Sequence, residues 1–194
     1  FAGKVGELYA PSRDQEKAKE YLATALSELG CTVDDLSAHL SIDCGDSPTS
    51  IAEASFYQEQ WRQVLGIEVA VNSMITKQGS QNRKTGNYVM SITGWGPDYN
   101  DPNTFLDMWV TDGGNNQTGF SNERYDELID LAAKETDLEK RESYFIECEQ
   151  IIADQLPIGP TFWRAPSYAC SDKIKGGMHR STFQDINAVY VKLS

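Results

Sequence analysis

The hydrophobic pattern of this chain changes several times between the period of a strand and the period of a helix. Alternating apolar residues predict two strands, one at Leu40, Ile42 and Cys44 and one at Ile67, Val69 and Val71. Between them lies a stripe with helical spacing that ends at Gly66; its members are Ala54, Tyr57, Trp61, Val64 and Leu65. A strand, a helix and a strand in this order favour a β-α-β unit with parallel strands. We therefore predict an α/β fold built of such units around a largely parallel sheet.

Further helices and strands are predicted on both sides of this unit. Three capping boxes predict helix starts, at Ser12 with Gln15, Ser50 with Glu53, and Thr136 with Glu139. Two more helices are expected, one capped by Asp101 with Pro102 at its first position, and one capped by Ser121 with Phe120 against Tyr125. Strands are predicted at 88–93, 157–165 and 188–193, whereas 72–87 is polar and predicts no clear element.

The charge and hydropathy of the chain exclude two classes of function. It carries 17 Lys+Arg against 29 Asp+Glu, a formal net charge of −12. A chain without a basic excess is a poor ligand for a polyphosphate, so a nucleic-acid binder is not expected. No apolar run is long enough to predict a membrane span.

Most catalytic motifs are missing from the sequence. It contains no HExxH, no GxSxG, no P-loop and no GxGxxG, and no CxxC pair that would suggest a metal. The many carboxylates leave a carboxylate-based hydrolase open, and a structural or adhesive module also remains open. We predict no catalytic residue, no metal and no cofactor.

The four cysteines, Cys31, Cys44, Cys148 and Cys170, allow three fully paired disulfide patterns. Cys148 lies on the apolar stripe of the helix predicted after Thr136, together with Leu138, Phe145 and Ile152. It is therefore interpreted as a small buried thiol. A Cys31–Cys44 disulfide is left open, and the number of cysteines alone does not decide the compartment.

Residues 94–98, with the sequence GWGPD, form the most informative loop. They follow a predicted strand, and open α/β sheets bind ligands at the carboxyl ends of their strands. Glycine allows close approach of a backbone, Trp95 offers a flat apolar face, and Asp98 could receive an ammonium group. The alternative is a simple turn with a core tryptophan and a helix-capping acid.

Ordered motifs along nearly the whole chain resemble those of the extracytoplasmic solute-binding proteins of family 5, the oligopeptide/dipeptide class. Residues 91–102 (SITGWGPDYNDP) are similar to the family motif GWxxDYxDP. The other matching segments are DQEKAKEYL at 14–22, WRQVLGIEV at 61–69, NERYDELI at 122–129, the helix at 141–151, LPIGPTF at 156–162 and the terminal VYVKL.

The resemblance implies one lobe of a type II periplasmic-binding-protein fold, because full members of the family are more than twice as long. Residues 1–165 would form the C-terminal ligand-binding lobe, and residues 166–194 a segment that returns to the other lobe. The implied function is the capture of short peptides for an ABC importer, without catalysis. The implied partners are the peptide, the membrane permease and the missing N-terminal lobe. The location would be extracytoplasmic, periplasmic or at the cell surface, with a lipid anchor on the parent.

The resemblance also assigns roles to particular residues. Asp98 matches the acid that holds the α-ammonium of the peptide, and Gly94 and Trp95 match positions that line the cleft. Arg83 lies roughly where some members place a basic residue for a carboxylate. Some relatives carry nickel chelates, haem or oligosaccharides instead, so these ligands remain alternatives to a peptide.

Overall fold

A computed structural model describes residues 8, 14–163, 170–176, 179–180, 186–187 and 191–193. Their contacts divide the chain into two units, each of which is described by itself. The sheet unit contains the described residues up to 94 together with 117–119, and the helical unit contains 95–116 and the described residues from 120 onwards.

The sheet unit is a three-stranded parallel sheet with helical connections. Its strands are β1 (Ser41–Gly45), β2 (Ala70–Met74) and β3 (Met90–Ser91), in the order β2-β1-β3. Its helices are α1 (Gln15–Leu29), α2 (Val33–Ser37), α3 (Pro48–Leu65) and α4 (Thr76–Thr85). The helix α3 connects β1 to β2, which pair in parallel from Ser41 opposite Ala70 to Gly45 opposite Met74. The predicted β-α-β unit is confirmed.

One face of β1 contributes to the core of the sheet unit. Ile42 and Cys44 belong to the same cluster as Ala54 of α3, which is fully buried. The buried members of this cluster are Ile42, Cys44, Ala54, Ile67 and Val69. Asp43 is also buried, with 4% of its surface exposed, and successive residues of a strand point to opposite faces. The central strand therefore has an apolar face and a polar one.

Two of the three predicted capping boxes lie in the described residues, and their helices are capped three positions earlier and one position later than predicted. The helix α3 begins after Ser47, whose hydroxyl accepts the Ser50 N–H at 3.1 Å, rather than after Ser50. Proline at the first position of α3 fits this earlier start because its missing N–H loses no hydrogen bond there. The helix predicted after Thr136 is likewise capped by Asp137. The predicted cap at Ser12 lies outside the described residues, and α1 is capped by Asp14.

The helix α4 occupies a segment for which the sequence predicted no element. It has no apolar stripe, and its residues 76–85 read TKQGSQNRKT. Its single buried residue is Gly79, and it ends at Gly86 in the left-handed conformation (φ 69°). Asn82 joins it to β1 by donating a hydrogen bond to Asp43 at 3.1 Å. Contacts with the sheet, rather than an apolar face, hold this helix.

The helical unit is built on two long helices that follow each other in sequence, α6 (Glu123–Lys134) and α7 (Leu138–Gln155). They are preceded by the short α5 (Asn103–Leu106) and a 3₁₀ turn (Asp107–Trp109). The buried cluster of this unit consists of Leu106, Tyr125, Leu128, Ala132, Phe145, Cys148 and Ile152. Phe120 packs edge-on against Tyr125 with ring centroids 5.5 Å apart, as predicted for the staple, although Asn122 rather than Ser121 caps α6.

The remaining described strands are short and antiparallel. They are β4 (Ile174–Lys175) with β7 (Lys192–Leu193), and β5 (His179–Arg180) with β6 (Ile186–Asn187). Residues 157–163 form no strand, so this part of the strand predicted at 157–165 is wrong. Its last two residues lie outside the described part of the chain. The boundary predicted at residue 165 also falls there and stays a prediction.

Neither Cys31 nor Cys44 is in a disulfide, so the Cys31–Cys44 bond left open by the sequence is not formed. Cys148 is fully buried, as predicted, and burial raises the pKa of its thiol to about 12. Leu138, predicted on the same apolar stripe, is instead 78% exposed because it is the first residue of α7 and lies at the end of the helix. Within the described ranges, no helix has the length and apolar character of a membrane span.

Candidate functional site

The loop from Trp95 to Asp101 is held in the helical unit by one buried threonine. Thr104 lies in α5 and exposes 2% of its surface. Its carbonyl oxygen accepts the Trp95 indole N–H at 2.9 Å, and its hydroxyl oxygen accepts the backbone N–H of Asp98 at 3.0 Å. Through its hydroxyl and its carbonyl oxygen, Thr104 therefore positions both Trp95 and Asp98.

The two residues that the resemblance assigned to ligand binding in this loop are open to solvent. Trp95 exposes 40% of its surface, and Asp98 is exposed. Within the described residues, the Asp98 carboxylate takes part in no hydrogen bond or ion pair with the protein. Trp95 is thus not the core tryptophan of the simple-turn interpretation. An exposed carboxylate and a partly exposed indole in one loop can receive a cation and an apolar group.

Capping of the helix that follows this loop involves a different acid, Asp101. Its carboxylate accepts the backbone N–H of Asn103, the first residue of α5, at 2.9 Å. Asp101 therefore binds the first turn of α5 as predicted, but Pro102 rather than Asp101 stands at the N-cap position. Pro102, predicted at the first position of the helix, lies instead immediately before it. The carboxylate of Asp98 is consequently not needed to begin the helix.

Asp101 also forms a two-point ion pair with Arg141 of α7. The two guanidinium nitrogens Nη1 and Nη2 lie 2.6 and 3.0 Å from the Asp101 oxygens, and both side chains are about three-quarters buried. The hydrogen bond from Arg141 is the largest cause that lowers the pKa of Asp101, and the pKa of Arg141 is raised by the same bond. Bidentate arginine–carboxylate pairs fix direction as well as distance.

The lowered pKa of Asp101 predicts an acid-dependent loss of stability. A carboxyl group whose pKa is lower in the folded state stabilises the fold above its unfolded-state value, about 3.9, and loses this contribution as the pH falls further. We expect Asp101→Asn to lower the free energy of unfolding by about 1.5–3 kcal/mol at neutral pH. The difference from the unchanged protein should shrink below about pH 4, as measured by urea unfolding at several pH values. A difference that stays constant down to about pH 3 would contradict the assignment.

Tyr99 and Asn103 extend the exposed surface of the loop. Tyr99 is 42% exposed, and its hydroxyl oxygen accepts a hydrogen bond from the Asn103 side chain at 3.0 Å. The same Asn103 amide donates to Asp107 at 3.2 Å. Two partly exposed aromatic rings therefore belong to this loop, on either side of Asp98 in sequence.

Gly94 and Arg83, the other two predicted site residues, belong to the sheet unit. A Cβ atom built on Gly94 would have no neighbour within 4 Å, and the φ angle of Gly94 is not in the left-handed region. The fold itself therefore does not require glycine at this position. The role of Gly94 in lining a cleft stays a prediction.

Arg83 has neutral partners in the described part of the chain. It lies in α4, donates from Nε to the Gln117 side chain at 3.1 Å, and donates from Nη1 to the Ser91 hydroxyl at 3.3 Å. Among the described residues, no carboxylate forms an ion pair with it. Its predicted role toward a ligand carboxylate is untested.

The polar face of β1 borders a concave region in the sheet unit. Asp43 accepts hydrogen bonds from Asn72 at 3.2 Å and from Asn82 at 3.1 Å. These three side chains lie at a pocket of about 440 Å³ whose wall continues along Gly86 to Val89. The pocket is polar, but each carboxylate oxygen of Asp43 already has an amide partner.

Sequence patterns did not point to three residues that shape these two regions: Thr104, Arg141 and Asp43. No sequence motif marks Thr104, because its two hydrogen bonds are made to residues outside its own helix. Arg141 stands 40 positions from its partner Asp101. Asp43 lies between the apolar residues Ile42 and Cys44 of an alternating strand, a pattern that predicts an exposed polar side chain rather than a buried one. The motif resemblance at 141–151 is the sequence signal that included Arg141.

Comparison with known proteins identifies the family. The family model described as "Bacterial extracellular solute-binding proteins, family 5 Middle" matches residues 3–117. The chain is 33% identical over 178 residues to the oligopeptide-binding protein OppA of Bacillus subtilis, covering 88% of this chain and 31% of that protein. It is 32% identical over 187 residues to a dipeptide-binding protein of Lactococcus lactis, covering 93% and 34%. The chain spans about a third of the length of these relatives.

Solved structures of the same kind share the fold. OppA of Listeria monocytogenes bound to peptide matches with a TM-score of 0.78 and 28% identity, covering 93% of this chain and 34% of that one. The substrate-binding domain of an oligopeptide ABC transporter from Bacillus anthracis matches with a TM-score of 0.81 and 26% identity, covering 94% and 35%. The predicted α/β fold of the periplasmic-binding-protein type is confirmed. The chain belongs to the bacterial extracellular solute-binding proteins of family 5.

Proposed function

We propose that this chain is the C-terminal ligand-binding lobe of a receptor that captures short peptides for an ABC importer. The observation that carries the proposal is the exposed Asp98 carboxylate, free of protein partners in the described residues, in the same Thr104-held loop as the partly exposed Trp95. Relatives at 33% and 32% identity are named as oligopeptide- and dipeptide-binding proteins. Peptides have in common an α-ammonium group, which is the cation that this carboxylate would receive.

The mechanism is ligand-driven closure rather than catalysis. A ligand that contacts both lobes of a two-lobed protein shifts it toward the closed state, because only that state makes both sets of contacts. Closure removes water around Asp98, and an ion pair is stronger in the resulting lower dielectric than at an open surface. The peptide backbone would be met by hydrogen bonds and the side chains by hydrated pockets, so the receptor would tolerate many sequences.

The arrangement of the whole protein follows from this proposal. Residues 1–165 would form the lobe, residues 166–194 would return to an N-terminal lobe, and the closed receptor would dock on the membrane permease. Family members are periplasmic or extracellular solute-binding proteins. We propose an extracytoplasmic location with a lipid anchor on the parent, and Arg83 as a candidate for the peptide carboxylate.

The test is peptide binding by the two-lobed protein that contains this chain, measured by calorimetry with trialanine. We expect Asp98→Asn to weaken binding about tenfold or more, because it removes a charged hydrogen-bonded pair with the peptide ammonium group. Acetylating the amine of trialanine should weaken binding to the unchanged protein and have little further effect on the variant. The matched control is Asp112→Asn, an exposed acid of the same unit that should bind trialanine normally.

Two results would overturn the proposal. If acetylated and free trialanine bind equally well to the unchanged protein, Asp98 does not receive the ammonium group. If mass spectrometry of the purified two-lobed protein finds a nickel chelate, haem or an oligosaccharide and calorimetry finds no peptide binding, the ligand class is wrong. Trp95 and Tyr99, 40% and 42% exposed, would then be the residues to test for stacking on that ligand.

A further inference from the structure

Arg141 joins three separate parts of the helical unit. Its Nε donates to the carbonyl oxygen of Ala132, near the end of α6, at 3.0 Å. Its Nη1 and Nη2 bind the Asp101 carboxylate at 2.6 and 3.0 Å. The guanidinium carbon lies 4.7 Å from the ring centroid of Phe145, a buried residue of its own helix. All three guanidinium nitrogens and its flat face are therefore engaged.

Asp101 passes this restraint to the exposed loop through α5. Its backbone carbonyl accepts the N–H of Thr104 at 3.2 Å, and its side chain accepts the N–H of Asn103 at 2.9 Å. Thr104 in turn holds the Trp95 indole at 2.9 Å and the Asp98 backbone at 3.0 Å. A continuous series of hydrogen bonds thus runs from Arg141 to the two exposed residues.

The helix α5 cannot supply this geometry alone. It has four residues, Asn103–Leu106, and a single helical turn is unstable without tertiary contacts. Two contacts tie its ends to the long helices: the Arg141–Asp101 pair before it, and a hydrogen bond from the Tyr125 hydroxyl to the Leu106 carbonyl at 2.6 Å. The Arg141–Asp101 pair lies at the N-terminal end of α5, where the loop that contains Trp95 and Asp98 joins the helix.

We infer that Arg141 is a positioning residue that orients Trp95 and Asp98 for the ligand through Asp101 and Thr104. The inference rests on the proposed function for the identity of the ligand, but the orientation itself can be measured without one. Lysine cannot replace arginine here, because one ammonium group cannot hold both carboxylate oxygens, the Ala132 carbonyl and an aromatic face in a fixed plane.

The chain offers a matched control in Arg124. It forms a second two-point pair, to Glu147 at 2.7 and 3.0 Å, that also joins α6 to α7. That pair has no contact with the loop at 95–101 among the hydrogen bonds of the described residues. Arg124→Lys therefore removes a two-point arginine–carboxylate pair elsewhere in the same unit and leaves the contacts of the loop intact.

The test measures the exchange of the Trp95 indole N–H with water by NMR, with the resonance assigned from Trp95→Phe. We expect Arg141→Lys and Asp101→Asn each to speed this exchange about tenfold, and their combination to add little to either change, because both break one pair. Arg124→Lys should leave the exchange rate of the indole unchanged. In the two-lobed protein, Arg141→Lys should weaken trialanine binding while Arg124→Lys does not.

The two readouts separate failure of this inference from failure of the proposed function. If Arg141→Lys lowers the melting temperature but leaves the indole exchange at the rate of the unchanged protein, Arg141 only supports packing and the inference is overturned. Equal acceleration by Arg124→Lys would overturn it as well. If the indole exchange behaves as expected but the unchanged two-lobed protein binds no trialanine, positioning is supported and the peptide assignment fails.

Discussion

Phe145→Ala is expected to lower the free energy of unfolding by about 3–5 kcal/mol, the range for removing a buried aromatic side chain. Phe145 exposes 2% of its surface and belongs to the cluster that holds α6 against α7. The substitution leaves a cavity in the cluster that contains Leu128 and Tyr125, both 0% exposed, and removes the ring on which Arg141 lies. The measurement is urea unfolding followed by circular dichroism.

The matched control for this change is Phe162→Ala. Phe162 is 58% exposed, so the same chemical change should alter the free energy of unfolding by about 0.5 kcal/mol or less. Phe145→Leu, which keeps more of the apolar volume, should fall between the two. Equal losses for Phe145→Ala and Phe162→Ala would mean that Phe145 does not occupy the centre of the helical unit.

Asp43→Ala should have the next largest effect, a loss of roughly 3 kcal/mol in the free energy of unfolding. Asp43 exposes 4% of its surface, and its carboxylate accepts two hydrogen bonds, from Asn72 on the neighbouring strand and from Asn82 on α4. A hydrogen bond to a charged group contributes about 1.5–3 kcal/mol, and the polar helix α4 has no apolar stripe to hold it. The substitution should therefore loosen α4 first, which hydrogen exchange along residues 76–85 would detect.

Two variants make this expectation specific. Asp46→Ala removes an exposed acid just beyond the same strand and should change stability by about 0.5 kcal/mol or less. Asp43→Asn keeps the shape and one acceptor oxygen, so its loss should be smaller than that of Asp43→Ala. If α4 exchanges at the same rate in Asp43→Ala as in the unchanged protein, the Asp43–Asn82 bond does not hold the helix.

Local patterns predicted a large part of the architecture because they depend on neighbours in sequence. The alternation at Ile42 and Cys44 placed the central strand, and Gly66 ends α3 in the left-handed conformation (φ 70°) that glycine adopts without strain. Helix starts were predicted less accurately, since Ser47 and Asp137 stand close to other residues that can cap equally well. The helix α4 was missed because its stabilising contacts lie outside its own sequence.

By itself, the sequence determined the β-α-β unit, most of the long helices, the family, and the loop that carries Trp95 and Asp98, because periodicity, caps and motifs are read within a few consecutive residues. Only the tertiary structure decided that Asp98 is exposed while Asp101 is paired with Arg141, and that a buried threonine holds the loop. The Asp101–Arg141 pair depends on residues tens of positions apart meeting in space. Two acids three positions apart in the same loop have the same chemistry in a sequence, and only their surroundings make one a structural residue and the other a candidate ligand contact.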